Sequence, residues 1–131
     1  MRGFVGILIV TAISSFPVHA LDLNTFRAQH KRSVLSVSPS LSALAYEQAH
    51  AMAERSRIDH KDFRKRIGHI GSTHAENVLL GCEDESCAIE KWSKSGGHRA
   101  NMLRGDISSY GIASASDEKG RKYWALELGG E

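Results

Sequence analysis

The chain has 131 residues, 41% of them hydrophobic and 24% charged, and a formal net charge of +2. So slight a positive excess excludes the strongly basic surface of a typical nucleic-acid-binding protein, and no nucleic acid is expected as a partner. With two cysteines, no internal repeat and no Gly/Ser-rich linker, the composition suits one domain around one core.

The first twenty residues, MRGFVGILIVTAISSFPVHA, place Arg2 ahead of an apolar run from Gly3 to Ile13 and end on the small residue Ala20. That is the layout of a secretory signal peptide cleaved after Ala20; an uncleaved N-terminal anchor is the alternative. A run of about 11 residues falls short of the roughly 20 that a bilayer span requires. Export to a periplasm or to the outside is therefore expected, with residues 21–131 as a single domain and no membrane span in the mature chain. Arg2 is the one charge lost with the leader, so 16 basic and 15 acidic residues remain.

In DLNTFRAQHKR, Leu23, Phe26 and His30 lie three and four apart, which predicts a short amphipathic helix capped by Asp22. SVSPSLSALAYEQAHAMAERSRI follows, with Ser38 as N-cap and Pro39 at the first helical position. Leu41, Leu44, Ala45, Gln48, Ala49 and Met52 then trace the buried stripe of the strongest helix in the chain. Residues 59–70 read as a polar linker or short helix, whose Lys61, Arg64, Lys65 and Arg66 are taken as a solvated face. ENVLL fits a strand or a helical turn. Residues 86–95, with Ala88, Ile89 and Trp92, read as a helix broken by Gly96-Gly97, and HRANML starts a further turn. SSYGIASA and RKYWALELG are strand-like, and SDEKGR suits the hairpin between them. Helices first and strands last predict an α+β fold with a mainly antiparallel sheet.

An exported chain with an even number of cysteines is expected to oxidise them, here Cys82 to Cys87. The closed loop of six residues contributes only about 2 kcal/mol by chain entropy. A reduced or metal-bound pair is the alternative. His74-Ala-Glu76 ahead of two cysteines also evokes a zinc deaminase, but that pattern has Pro-Cys and a two-residue spacer, and neither is present.

Several stretches together resemble the CAP superfamily: LNTFRAQH, LSALAYEQAHAMAERSRIDH, HAENVLLG, WSKSGGHRANML, YGIASA and KYWALELG. This is the superfamily of cysteine-rich secretory proteins, antigen 5 and plant pathogenesis-related type-one proteins; the likeness is strongest to its compact bacterial secreted branch. The resemblance implies a three-layer α-β-α sandwich with a central groove lined by two His and two acidic residues. Position by position it assigns His60 in IDH, Glu76 in AEN and His98 in GGHR to that groove. Ser95 in WSKS stands where the second Glu is expected.

Two imidazoles and a carboxylate form a sensible donor set for a divalent ion, zinc above all. His60 and His98 lie 38 residues apart, so only the tertiary fold can bring them together. Read singly, His60 suits a helix end, Glu76 a backbone-bonding role and His98 the start of a helix. His74 and His69 are read as supporting or surface residues, and His50 with Glu54 as an exposed helix pair. Ser95 and His98 do not make a nucleophile pair, since no oxyanion hole or orienting group is identifiable. Asn101 is expected to tie down loop backbone, Arg99 to cover an acidic neighbour, and Trp92, Tyr110, Tyr123 and Trp124 to serve as core or groove wall. The leading expectation is a non-enzymatic exported module that binds a divalent ion and a small or lipid-like ligand. Its rivals are a metal-assisted hydrolase of peptide or cell-envelope material, with Glu76 as general base, and an extracellular interaction or adhesion module with a protein partner.

Overall fold

The computed structural model describes residues 21–68 and 73–130; the signal-like segment and His69 lie outside them. Helix α1 spans Leu23–Gln29, and the Asp22 carboxylate caps it by accepting from Thr25 N at 2.7 Å. Its inward face is Leu23, Phe26 and, against expectation, Arg27, whose guanidinium donates to the carbonyls of Ser33, Met102 and Arg104. His30 instead lies exposed at the C-cap. A two-residue strand, β1 (Ser36–Val37), leads into α2, Pro39–Arg55. Ser38 caps α2 through its hydroxyl, a contribution of about 1 kcal/mol. The inward stripe is as expected from its period, except that Leu44 stays half-buried and Ala53 joins it. Ser56 ends α2 in the left-handed conformation common at helix C-termini.

Helix α3 (Phe63–Ile67) buries no side chain completely. ENVLL resolves as part of a strand, β2, Thr73–Leu80. Helix α4 (Glu85–Ser93) is capped by Asp84, which accepts from Cys87 N at 2.9 Å. Gly96 and Gly97 do not simply break the chain: they open α5, Gly96–Met102. β3 (Ser109–Ser116) and β4 (Lys122–Gly130) form the expected hairpin, and Asp117 accepts three bonds from the backbone and side chain of Arg121 and the backbone of Lys119.

The sheet order is β1-β3-β4-β2. β4 pairs antiparallel with both β3 and β2, while β1 pairs parallel with β3, so the sheet is mixed with antiparallel pairing dominant. Because side chains alternate, β4 covers two cores at once. Trp124, Leu126 and Leu128 pack with Leu23, Phe26, Ala88, Ile89, Trp92 and Met102 from α1, α4 and α5. Tyr123 and Ala125 pack with Ala45, Ala49 and Met52 of α2. Helices on both faces make the α-β-α sandwich. Trp92 and Tyr123 are fully buried core aromatics, and the Trp92 indole donates to Val78 O at 3.1 Å.

Gly111 sets how close α2 comes: a Cβ there would overlap the backbone of Leu41 and Ser42. It stands in register with Glu127, which in turn stands in register with Glu76. One row across the α2 face thus runs Gly111, Glu127, Glu76. That row leads to the candidate site.

Cys82 and Cys87 form a disulfide with Cα atoms 5.5 Å apart, pinning the end of β2 to the first turn of α4. Cys82 sits at φ 69°, a conformation costly for a residue with a Cβ, and its carbonyl accepts from the Trp124 indole at 3.1 Å. Replacing both cysteines by serine is expected to cost about 2 kcal/mol or less, as the short loop dictates. A lowered urea midpoint at unchanged slope would show it; a loss above about 4 kcal/mol would mean the bridge holds more than this corner.

Candidate functional site

β2 is the edge of the sheet beside β4, and its AEN triplet faces both ways. Glu76 lies on the α2 face with its side chain 1% exposed, and Asn77 lies on the other face, fully buried. The Glu76 carboxylate accepts from His60 Nδ1 at 2.8 Å. Asn77 donates to His98 O at 3.0 Å and accepts from Asn101 at 2.9 Å. Two consecutive strand residues therefore position the two histidine segments, one from each face. Asn101 serves a neighbouring side chain here rather than loop backbone.

The His60 segment is anchored from α2. Gln48 donates to Asp59 O at 2.7 Å, and Arg55 pairs with the Asp59 carboxylate at 2.7 Å. With Nδ1 on Glu76, the His60 ring has no partner on Nε2 among the described residues, and its side chain is 52% exposed. His98, in the first turn of α5, is held below the usual imidazole pKa by burial and then by the charge of His60.

Arg66 corrects the reading of the basic run as a solvated face. Its side chain is 15% exposed, and its guanidinium forks onto Glu76 at 2.6 and 3.1 Å and reaches Glu127 at 3.3 Å. Its Nε donates to Lys61 O at 3.0 Å. With Arg64 and Lys65 directly before it, the sequence gives little sign of which cation turns inward. Glu127 does carry a readable signal: a carboxylate inside the buried run YWALELG demands a partner. The site thus has a second carboxylate, supplied by β4 and not by position 95. Ser95 is the N-cap of α5, with no side-chain capping bond.

The two carboxyls have opposite fates. Burial, then the neighbouring Glu76 carboxylate, pushes Glu127 up to about 10, so it holds its proton at neutral pH. Burial also opposes the charge on Glu76, but bonds from Glu127, Arg66 and His60 win and hold it below the ordinary carboxylate range. One buried anion and one buried cation result, with Glu127 as a neutral donor between them.

The other expected residues fall elsewhere. His74 shares the α2 face with Glu76; burial lowers its pKa, and its Nε2 is enclosed without a partner among the described residues. Arg99 meets no acidic neighbour among the described residues: it bonds His30 Nε2 at 2.8 Å and lies over Phe26. His50 stacks on Tyr46 and, with Glu54, lines a cleft of about 490 Å3 beside the β3–β4 turn. A second cleft, about 400 Å3, lies between α2 and α3 against Gln48, Arg55, Lys61, Lys65 and Arg66.

A mixed four-stranded sheet between helical layers, with an AEN edge strand flanked by two histidine segments, defines a secretory-protein-type α-β-α sandwich. The model of the cysteine-rich secretory protein family, CAP, matches residues 22–128, and the chain belongs to that family. The Bacillus subtilis (strain 168) protein YkwD is 23% identical over 111 residues, covering 78% of this chain and 43% of that one. The chain thus spans less than half the length of that relative. Among solved structures, an outer surface protein from Borrelia burgdorferi superposes with a TM-score of 0.74 at 17% identity, over 83% of this chain and 86% of that one. An extracellular protein with an SCP domain from Bacillus anthracis str. Ames gives 0.69 at 19% identity, over 83% and 38%. At these identities the structures speak for the fold.

Proposed function

We propose that this chain is an exported, non-enzymatic binding module that offers the imidazoles of His60 and His98 to a divalent ion, zinc by donor chemistry. Export draws support from the signal-like N-terminus and from the disulfide. No helix among the described residues is long and apolar enough to cross a membrane. The α2–α3 cleft has room for a small ligand, and its lining of Glu47, Gln48, Arg55, Lys61, Asp62, Lys65 and Arg66 suits a polar one.

The observation that carries the reading is the 2.8 Å bond from His60 Nδ1 to Glu76. A carboxylate behind an imidazole fixes its tautomer and raises the basicity of the other nitrogen, the usual support for a metal-binding histidine. The donor set fits an ion through nitrogen only. Both Glu76 oxygens are taken by His60 and Arg66, so Glu76 serves as the orienting group and not as a ligand. Among the described residues no three His, Cys, Asp or Glu are grouped to hold a metal, so the site proposed is a weak, exchangeable one on two imidazoles. When bound, the ion would supply a Lewis-acidic position open to a ligand. The same geometry speaks against the hydrolase: a general base should titrate near the working pH, and Glu76 is held below the ordinary carboxylate range and fully bonded.

Zinc titration by calorimetry tests the proposal. His60→Ala and His98→Ala should each weaken zinc binding at least tenfold, about 1.4 kcal/mol, with His50→Ala as an unaffected control. Unchanged affinity and stoichiometry in both variants would remove the site.

A further inference from the structure

Charge along the chain is segregated. Residues 55–66, RSRIDHKDFRKR, hold six Lys and Arg against two Asp, whereas the rest of the chain holds eleven against thirteen acidic residues. The segment runs from the last residue of α2 through most of α3, and it is fixed from behind. Arg55 bonds the Asp59 carboxylate, Gln48 bonds Asp59 O, and Arg66 bonds Glu76 and Glu127. Two of the six cations are consumed by that anchorage. The other four, Arg57, Lys61, Arg64 and Lys65, are exposed, and none joins an ion pair among the described residues. Glu47 and Asp62, on the cleft that Lys61 and Lys65 line, offset two of these charges and leave an excess of two. Ile58, 46% exposed, is the large apolar side chain that this face shows to solvent.

We infer that the outward face of residues 57–65 is a docking surface for an anionic lipid bilayer, on which the exported chain rests without spanning it. The inference needs the chain to reach a membrane surface and does not depend on zinc. A bilayer meets both parts of the face: anionic headgroups attract the four cations, and Ile58 enters the boundary between headgroups and acyl chains. Single-stranded nucleic acid fits less well, because it stacks its bases on exposed aromatic rings. Phe63, the one Phe, Tyr or Trp of the segment, is half-buried. Each net positive charge near an anionic surface strengthens attachment roughly fivefold. An excess of two therefore gives a preference of roughly thirtyfold for anionic over neutral lipid. The anchorage behind the segment fixes the cations' backbone before the bilayer is met, so little ordering is left to oppose attachment.

Co-sedimentation with vesicles is the test, using phosphatidylcholine alone and phosphatidylcholine mixed equally with phosphatidylglycerol. The readout is the ratio of the two partition coefficients, in which an apolar contribution common to both lipids cancels. The wild-type ratio should be at least about tenfold at low salt and fall to about one in molar salt, where screening acts within about 3 Å. Arg64→Glu with Lys65→Glu should bring the ratio to about one at low salt. Lys91→Glu with Lys119→Glu makes the same change of net charge at exposed positions on α4 and the β3–β4 turn, and should keep most of the preference. The salt dependence needs no variant, so it decides the matter even if the first pair fails to fold. A wild-type ratio near one, a ratio indifferent to salt, or equal losses in the two double variants would overturn the inference. Salt-sensitive binding to polyphosphate without binding to vesicles would assign the face to a soluble polyanion and overturn it too.

Discussion

Glu76→Ala is expected to destabilise the domain by about 3 kcal/mol, a large share of the roughly 5–15 kcal/mol typical of a folded domain. The change removes the anion that pairs with the buried Arg66 guanidinium at 2.6 and 3.1 Å and the acceptor of His60 Nδ1. Breaking a buried pair by deleting one partner costs more than the pair contributes, because a desolvated charge is left behind. The expected figure sits at the low end of the usual range of about 3–5 kcal/mol because Glu127 stands beside Arg66 and can ionise in place of Glu76. Glu76→Gln keeps the size and one acceptor, so its loss should be smaller. Urea denaturation read as a lowered midpoint at constant slope measures both. A loss under about 1 kcal/mol for Glu76→Ala would mean that the cluster is solvated in solution and that the cation has no buried partner to lose.

Stability should fall as pH rises from about 7 to 9.5, and Glu127→Gln should flatten that fall. Glu127 holds its proton to about 10 in the fold, against an ordinary value of 4.5. Between those values the folded state binds a proton that the unfolded chain has released, so raising the pH favours unfolding. The contribution is fully present below the unfolded value and is lost on the way up to the folded one. Its limiting slope is about 1.4 kcal/mol per pH unit. His74 and His98 carry lowered values and push the other way, destabilising the fold only as pH falls through the ordinary imidazole range. Above about pH 7.5 they are neutral in both states, and Tyr110, raised by burial, adds to the fall only towards the top of the window, so the part of the slope that Glu127→Gln removes reports Glu127. The glutamine keeps an N–H for Glu76 but cannot titrate, and at about pH 8 it should be the more stable form by on the order of 2 kcal/mol. Parallel pH profiles for the two proteins would show that Glu127 is ionised in the fold.

How much of the structure is legible along the chain depends on how local the determining physics is. Ser38-Pro39 and the apolar spacing of α2 are local signals, and the helix follows them. The C-terminal hairpin likewise follows its turn residues, and the two cysteines meet as expected. β1 escapes a reading by period, because two residues carry none and its pairing with β3 is a long-range event. The glycine pair suggests a helix breaker, yet Ser95 sets a helix start directly before it. The resemblance nominates His60, Glu76 and His98, but the bonds that tie His60 to Glu76 and His98 O to Asn77 are made only by the tertiary fold. Asn77, which holds the His98 carbonyl, has no role in the sequence reading, although a fully buried asparagine must satisfy its amide. Arg66 lies in a basic run with Lys61, Arg64 and Lys65, and only the register of Glu76 against Glu127 decides which cation turns inward.

The proposed function rests on one claim: that Glu76 orients His60 so that its Nε2, together with His98, can form one ion-binding pair. The most direct test is a long-range proton–nitrogen spectrum of the imidazoles during zinc addition. Before zinc, His60 should be protonated at Nδ1; on addition, shifts of His60 Nε2 and a His98 nitrogen should saturate together at one equivalent. His60 protonated at Nε2 instead, or zinc shifts confined to other histidines, would contradict it.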